Sequence, residues 1–176
     1  MVKVVSNLLP DIYFDRLQEI LDDSNKSFGW YWNSQTATDL QEKPLDNNFM
    51  FTHVLFHEDN RRSSYLETFF PMLYFLNQHI IAKNLFRMKL NLYPNQGKRF
   101  THAKHNDITD NNTNKPLKGC KITVFNFTSC NGGTIINDKE YKSNANEALI
   151  FDNEIEHQGF TQTDTQRRII LNIATG

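Results

Sequence analysis

The sequence predicts an α+β protein, mainly β, in which an N-terminal helical part supports a C-terminal series of short strands. Three observations carry this expectation. Residues 11–22 are apolar at helical spacing, residues 86–94 switch to strict alternation, and short apolar runs divided by turn residues fill the remainder. Helices first and evenly spaced strands afterwards is the pattern of chains whose sheet curls into a sandwich or barrel.

In the first helical stretch Phe14, Leu17, Ile20 and Leu21 share one face, with Asp15, Glu19 and Asp22 on the other. Two segments rich in aromatic and branched residues follow, Phe28-Gly29-Trp30-Tyr31-Trp32 and Phe49 to Phe56, and both read as strands packed into a core. Ser63-Ser64 opens a second helical stretch carrying Leu66, Phe69, Phe70, Leu73, Leu76 and Ile80, expected to lie across the back of a sheet. Pro71 reads as the first-turn residue of its main helix, because an interior proline costs about 3 kcal/mol. From residue 86, Phe86, Met88, Leu90 and Leu92 alternate with Arg87, Lys89, Asn91 and Tyr93 until Pro94 ends the strand. Further strands are expected at Ile122 to Phe127, Thr134 to Ile136, Glu147 to Phe151 and Arg168 to Ile173, with a turn at Asn131-Gly132-Gly133.

Composition narrows the functional classes. A chain of 176 residues, 39% hydrophobic and 12% aromatic, buries a real core and is globular rather than disordered. No repeat or composition shift divides it, so residues 1–176 are read as one domain, with 1–85 packing on a core built by 86–176. The 19 Lys+Arg nearly balance 20 Asp+Glu and gather into no basic stripe. Duplex nucleic acid is therefore a poorer partner than a peptide, a protein or a small molecule. The 21 Asn suit turns and polar strand edges without specifying chemistry. Cys120 and Cys130 lack C-x-x-C spacing, so zinc is not expected and a disulfide is not required. Met1 to Pro10 hold too short an apolar run for a secretory signal or a membrane span, which suggests a cytoplasmic protein with reduced thiols.

His105, Asp107 and His157 are the candidate metal ligands. Two neutral imidazoles and one carboxylate on one face of an octahedral ion leave three adjacent positions open, the arrangement that suits non-haem iron(II). In His105-Asn106-Asp107 the H-x-D spacing sends both ligand side chains to the same side of an extended segment. A chain with six His meets H-x-D by chance often enough that the spacing alone decides nothing, so the neighbouring residues matter.

Arg167-Arg168 opens an otherwise apolar strand, where a cation is costly unless it meets an anion. An arginine fork takes a carboxylate in two hydrogen bonds. By alternation Arg168 shares a face with Asn172 and is preferred as the inward residue, with Arg167 the alternative if the register slips by one.

Residues 87 to 175 resemble the 2-oxoglutarate/Fe(II) oxygenase superfamily, in particular the prolyl-4-hydroxylase-like group and its small phage and bacterial members. The residues that carry the resemblance are Asn91-Leu92-Tyr93-Pro94, His105-Asn106-Asp107, Asn131-Gly132-Gly133-Thr134, Asn146 to Asp152, His157-Gln158-Gly159 and Arg168 to Asn172, in the family's order. The aromatic segments at 28–32 and 51–56 also resemble the N-terminal part of the small phage-type members. The resemblance implies a double-stranded β-helix, a distorted jelly roll, with Fe(II), 2-oxoglutarate as co-substrate, and O2. It implies that Tyr93 and Arg168, or Arg167, bind the co-substrate carboxylate and that Asn172 and Asn126 line the pocket. The implied reaction is hydroxylation of a C–H bond, on a prolyl or other peptide side chain or a free amino acid, releasing succinate and CO2. Oxidation of a nucleobase or nucleotide, for which Trp30-Tyr31-Trp32 speaks, and a non-catalytic jelly-roll binding module are the competing functions. His102 reads as a surface residue or one behind the ligands; His53, His57 and His79 read as packing or solvent contacts. The polar insert from Thr109 to Lys118 reads as a surface loop, with a lid over the substrate as its other use.

Overall fold

Alternation makes each of two long strands, β5 (Leu85–Pro94) and β11 (Arg167–Thr175), a ribbon with two distinct faces, and the two pair antiparallel at the centre of the molecule. The computed structural model describes residues 1–22, 24–36, 48–110 and 112–176. Before β5 come β1 (Lys3–Ser6), α1 (Asp11–Leu21), β2 (Tyr31–Asn33), β3 (Met50–His57), β4 (Asn60–Arg61), α2 (Leu66–Phe69) and α3 (Met72–Leu76). Between β5 and β11 lie β6 (Lys121–Asn126), β7 (Cys130–Ile136), β8 (Lys139–Ser143), β9 (Glu147–Asp152) and β10 (His157–Phe160). The large sheet runs β1-β9-β6-β11-β5-β3-β2, with β4 on β3, and the small sheet runs β10-β7-β8.

The two faces of the large sheet bury two different cores. Ile169, Leu171 and Ile173 of β11, Met88 and Leu90 of β5 and Phe125 of β6 pack outward against Leu17, Ile20 and Leu21 of α1 and Phe69, Met72 and Leu76 of α2 and α3. The opposite face presents Ile170 and Ala174 of β11, Tyr93, Val124 and Leu149 toward Ile136 of the small sheet. The layers are therefore helices, large sheet, small sheet. Polar residues of β5 and β11 sit between the sheets because their apolar neighbours are committed to the helix layer.

Several elements differ from expectation, each for a local reason. Gly132-Gly133 lies inside β7 beside a register shift rather than in a turn. A Cβ on Gly133 would stand 2.1 Å from the Tyr141 carbonyl oxygen, so the glycine allows close approach of two backbones. The turn falls instead at Asn137-Asp138, whose φ values of 50° and 59° suit a tight hairpin between β7 and β8. Pro71 splits the second helical stretch into α2 and α3, standing just before the first residue of α3. Of Phe28 to Trp32 only Tyr31 and Trp32 are in a strand, and they are 66% and 65% exposed, whereas Phe28 is buried. Strands β1, β8 and β10 were not expected, being short and only partly apolar.

The packing role expected of His53 is met. His53 packs against Phe28 and bonds the Gly29 carbonyl and Ser63. The insert, apart from Asn111, which lies outside the described residues, is closed by a Thr109–Pro116 bridge and pinned by Asn153, which donates to the Ile108 and Leu117 carbonyls. Cys120 and Cys130 are free thiols. No described helix is long and apolar enough to cross a membrane.

Candidate metal centre

The segment after β5 returns alongside β10, and one backbone bridge joins them at the ligands. His105 N–H donates to the His157 carbonyl at 3.0 Å and His157 N–H to the His105 carbonyl at 3.1 Å. Their rings consequently lie 4.4 Å apart, centroid to centroid. Asp107 follows two residues later on the same side, and the candidate ligand atoms of His105, Asp107 and His157 all lie within 4.8 Å of one another. His157 Nε2 approaches Asp107 Oδ2 to 3.3 Å.

Each ligand is held from behind. Arg87 of β5 pairs with Asp107 Oδ1, donates to the Asp107 carbonyl at 3.0 Å and reaches Asn172 Oδ1 at 2.9 Å. Asn172 returns an N–H to Asp107 Oδ2 at 2.9 Å, so the carboxylate is clamped by two strands. Burial by itself would raise the Asp107 carboxyl, but Arg87, His157 and His105 together hold it well below the usual carboxylate range. Burial, reinforced by His157, pushes His105 down and keeps it neutral. Its Nδ1 lies 3.1 Å from the Ala103 carbonyl, which assigns the ring proton to Nδ1 and leaves the Nε2 lone pair for a metal. His157 Nδ1 is buried without a partner among the described residues. A neutral His105, an anchored carboxylate and the His157 Nε2 beside it suit a divalent cation of the iron(II) type.

A cavity of about 150 Å³ opens from these residues between the sheets. At its far end Arg168 is 1% exposed, donates a long 3.4 Å bond to Thr134 Oγ1 and leaves Nε unpartnered. Its guanidinium carbon stands 5.6 Å from the Tyr93 ring centroid. Among the described residues no carboxylate pairs with it. Burial pushes Arg168 down against the pull of Tyr93, and burial raises the Tyr93 phenol against the pull of Arg168. Arg167 points to the other face, lining a surface groove with Asp15 and Glu19 of α1 and Asp22 just after it.

No family model matches the sequence, and no curated protein matches it either. Solved structures do. A 2OG-Fe(II) oxygenase family oxidoreductase from Burkholderia pseudomallei superposes with a TM-score of 0.69 at 7% identity, over 99% of this chain and 85% of that one. The chain has the fold of the 2-oxoglutarate/Fe(II) oxygenases. A Trichoplax adhaerens prolyl hydroxylase, solved with a hypoxia inducible factor peptide, has a TM-score of 0.65 at 14% identity, over 99% and 83% of the two chains. The viral collagen prolyl hydroxylase of Paramecium Bursaria Chlorella virus-1, solved with 2OG, has a TM-score of 0.59 at 13% identity over 98% and 94%.

Within this oxygenase fold the structure gathers His105, Asp107, His157, Tyr93, Arg168 and Asn172 around one cavity, and it leaves out Arg167 and Asn126. Asn126 shares a strand face with Val124 but lies beyond the cavity, where it accepts from Ser143 at 3.0 Å and donates to the Glu147 carbonyl at 3.3 Å. It joins β6 to β8 and β9 rather than lining the pocket. Sequence reasoning missed Arg87, Lys89, Asn91 and Thr134, all of which line the cavity. Their signal was present, since Arg87, Lys89, Asn91 and Tyr93 occupy one face of β5, but a polar strand face reads equally well as a solvent edge. His102 stands outside the group of His105, Asp107 and His157 and is 4% exposed, with its ring 5.2 Å from that of Tyr93 and Nε2 without a partner among the described residues. Burial, with Arg168 and His105 adding to it, pushes His102 down to about 3.

Proposed function

We propose that this chain is a single-domain Fe(II)- and 2-oxoglutarate-dependent dioxygenase that hydroxylates a substrate C–H bond and releases succinate and CO2. The observation that carries this reading is Arg168. A buried guanidinium with no carboxylate beside it among the described residues, at the far end of a cavity that starts at two histidines and an aspartate, calls for an anionic ligand that reaches between them. 2-Oxoglutarate has that form, with a chelating keto-acid at one end and a carboxylate at the other. Fe(II) bound with 2-oxoglutarate and O2 supplies the oxidising chemistry.

The protein's own residues do the rest. His105, Asp107 and His157 hold the metal; Arg87 and Asn172 fix the aspartate; Arg168 and the Tyr93 hydroxyl orient the co-substrate. Met50, Val124 and Ile170 give the cavity an apolar wall that limits water. The substrate is an amino-acid unit, either a prolyl or other side chain in a peptide or a free amino acid, in line with the prolyl hydroxylases among the structural neighbours. A second reading, oxidation of a nucleotide, is favoured by exposed Tyr31 and Trp32, whose strand pairs with the one bearing the cavity-lining Met50.

Protein supplied with Fe(II), 2-oxoglutarate and O2 should form succinate, and His157→Ala should not. Equal succinate in both, with candidate substrates present, would favour a binding module that kept the fold without turnover.

A further inference from the structure

Among the described residues three cationic side chains line the cavity, Arg87, Lys89 and Arg168, and a single carboxylate faces them, that of Asp107. Arg87 is paired with Asp107. Arg168 is assigned above to the distal carboxylate of 2-oxoglutarate. Lys89 is left over, with no hydrogen bond or ion pair to any described residue. Because an Fe(II) ion and a 2-oxoglutarate dianion cancel in charge, filling the site as proposed leaves the lining's excess of two positive charges in place. Such an excess in a cleft favours an anion as the next occupant.

Position separates Lys89 from the co-substrate end. In the β5–β11 ladder Lys89 stands opposite Asn172, the residue that holds Asp107, whereas Tyr93 stands opposite Arg168. Four residues of strand put these two stations about 13 Å apart along the backbone. Lys89 is thus beside the metal ligands, and Arg168 is at the other end. Burial, reinforced by the charge of Arg87 and opposed by Asp107, lowers the Lys89 ammonium to about 8.

We infer that Lys89 anchors an oxyanion of the primary substrate, so that the enzyme oxidises a small free acid rather than a neutral prolyl residue within a peptide. The inference rests on the oxygenase reading above and narrows its substrate. The oxyanion is a carboxylate, as in a free amino acid, or a phosphate, as in a nucleotide.

The test uses the anaerobic protein loaded with Fe(II) and 2-oxoglutarate, whose visible charge-transfer band reports on the metal surroundings. Each free amino acid is titrated beside its C-terminal amide, and each nucleoside monophosphate beside its nucleoside. At least one acid should perturb the band and bind about ten-fold or more tightly than its neutral twin. The arm in which this happens identifies carboxylate or phosphate. Lys89→Met should abolish the preference and Lys89→Arg should retain it, which separates charge from damage to the fold, while the affinity for 2-oxoglutarate stays within about two-fold in both. Three results would overturn the inference: no acid preferred over its twin, the preference surviving in Lys89→Met, or Lys89→Met weakening 2-oxoglutarate as much as the acid. A wild-type protein with no band at all speaks against the oxygenase reading itself, and the inference falls with it.

Discussion

Arg168 and Tyr93 face each other across the β11–β5 ladder, with the guanidinium carbon 5.6 Å from the ring centroid and both side chains buried. The ring supplies a weakly attractive face but no negative charge, so among the described residues the cation at the end of the cavity is left unneutralised. A fold does not keep such an arrangement for stability, since exchanging a buried charge for an apolar residue of similar size is commonly neutral or stabilising.

Arg168→Met should therefore lower 2-oxoglutarate affinity by about ten-fold or more, the worth of a charge-assisted hydrogen-bonded contact, while ligand-free stability is unchanged or higher. Arg167→Met should leave the affinity at the wild-type value. Titration of 2-oxoglutarate together with thermal unfolding of the ligand-free proteins checks both parts.

Arg87 acts on the metal through Asp107. Arg87→Met frees the carboxylate from its clamp and should weaken Fe(II) binding by about 10- to 100-fold, the usual cost of losing a partner behind a ligand. Asn172→Ala should move affinity in the same direction by less, because Arg87 still holds Asp107 Oδ1. Competition with a chelator of known affinity measures both.

Gly159 gives a prediction on stability. A Cβ there would meet His102 Nδ1 at 2.7 Å, and the His102 ring has Tyr93 close by. Gly159→Ala should cost about 1–3 kcal/mol and weaken metal binding as well, since His157 is two residues away on the same strand. Gly133→Ala should cost more, because its Cβ would strike backbone that cannot rotate aside. Denaturant midpoints decide the order.

His102 sets part of the acid limb. Its folded value of about 3 lies below the ordinary 6.5, so its neutral state is stabilising in full above pH 6.5, and that contribution is lost as pH falls toward 3. Over that interval the unfolded chain takes up a proton that the folded chain refuses. His102→Phe keeps a ring and removes the titration, so the ligand-free variant should lose stability less steeply between pH 6.5 and 3. An unchanged slope would show that His102 takes up its proton freely in the fold.

Much of this was legible in the residues. The switch from helical spacing to alternation at residue 86 located β5, and alternation within Arg168 to Asn172 oriented Arg168 inward. What stayed hidden depended on contacts remote in sequence. The polar face of β5 resembles a solvent edge until the small sheet is placed over it. Gly132-Gly133 resembles a turn until Tyr141 is seen against it. Nothing local says that Gly159 and Tyr93 enclose His102, which left a surface place as open as one behind the ligands, and the resemblance that puts Asn126 in the pocket does not see its bond to Ser143.

The most direct measurement is the absorption spectrum of the anaerobic Fe(II) protein as 2-oxoglutarate is added. With His105, Asp107 and His157 as ligands, a weak visible charge-transfer band should grow to saturation at one equivalent, be absent in His157→Ala, and require more 2-oxoglutarate in Arg168→Met. A wild-type spectrum that does not change on addition, or a band of equal strength in His157→Ala, would contradict the account.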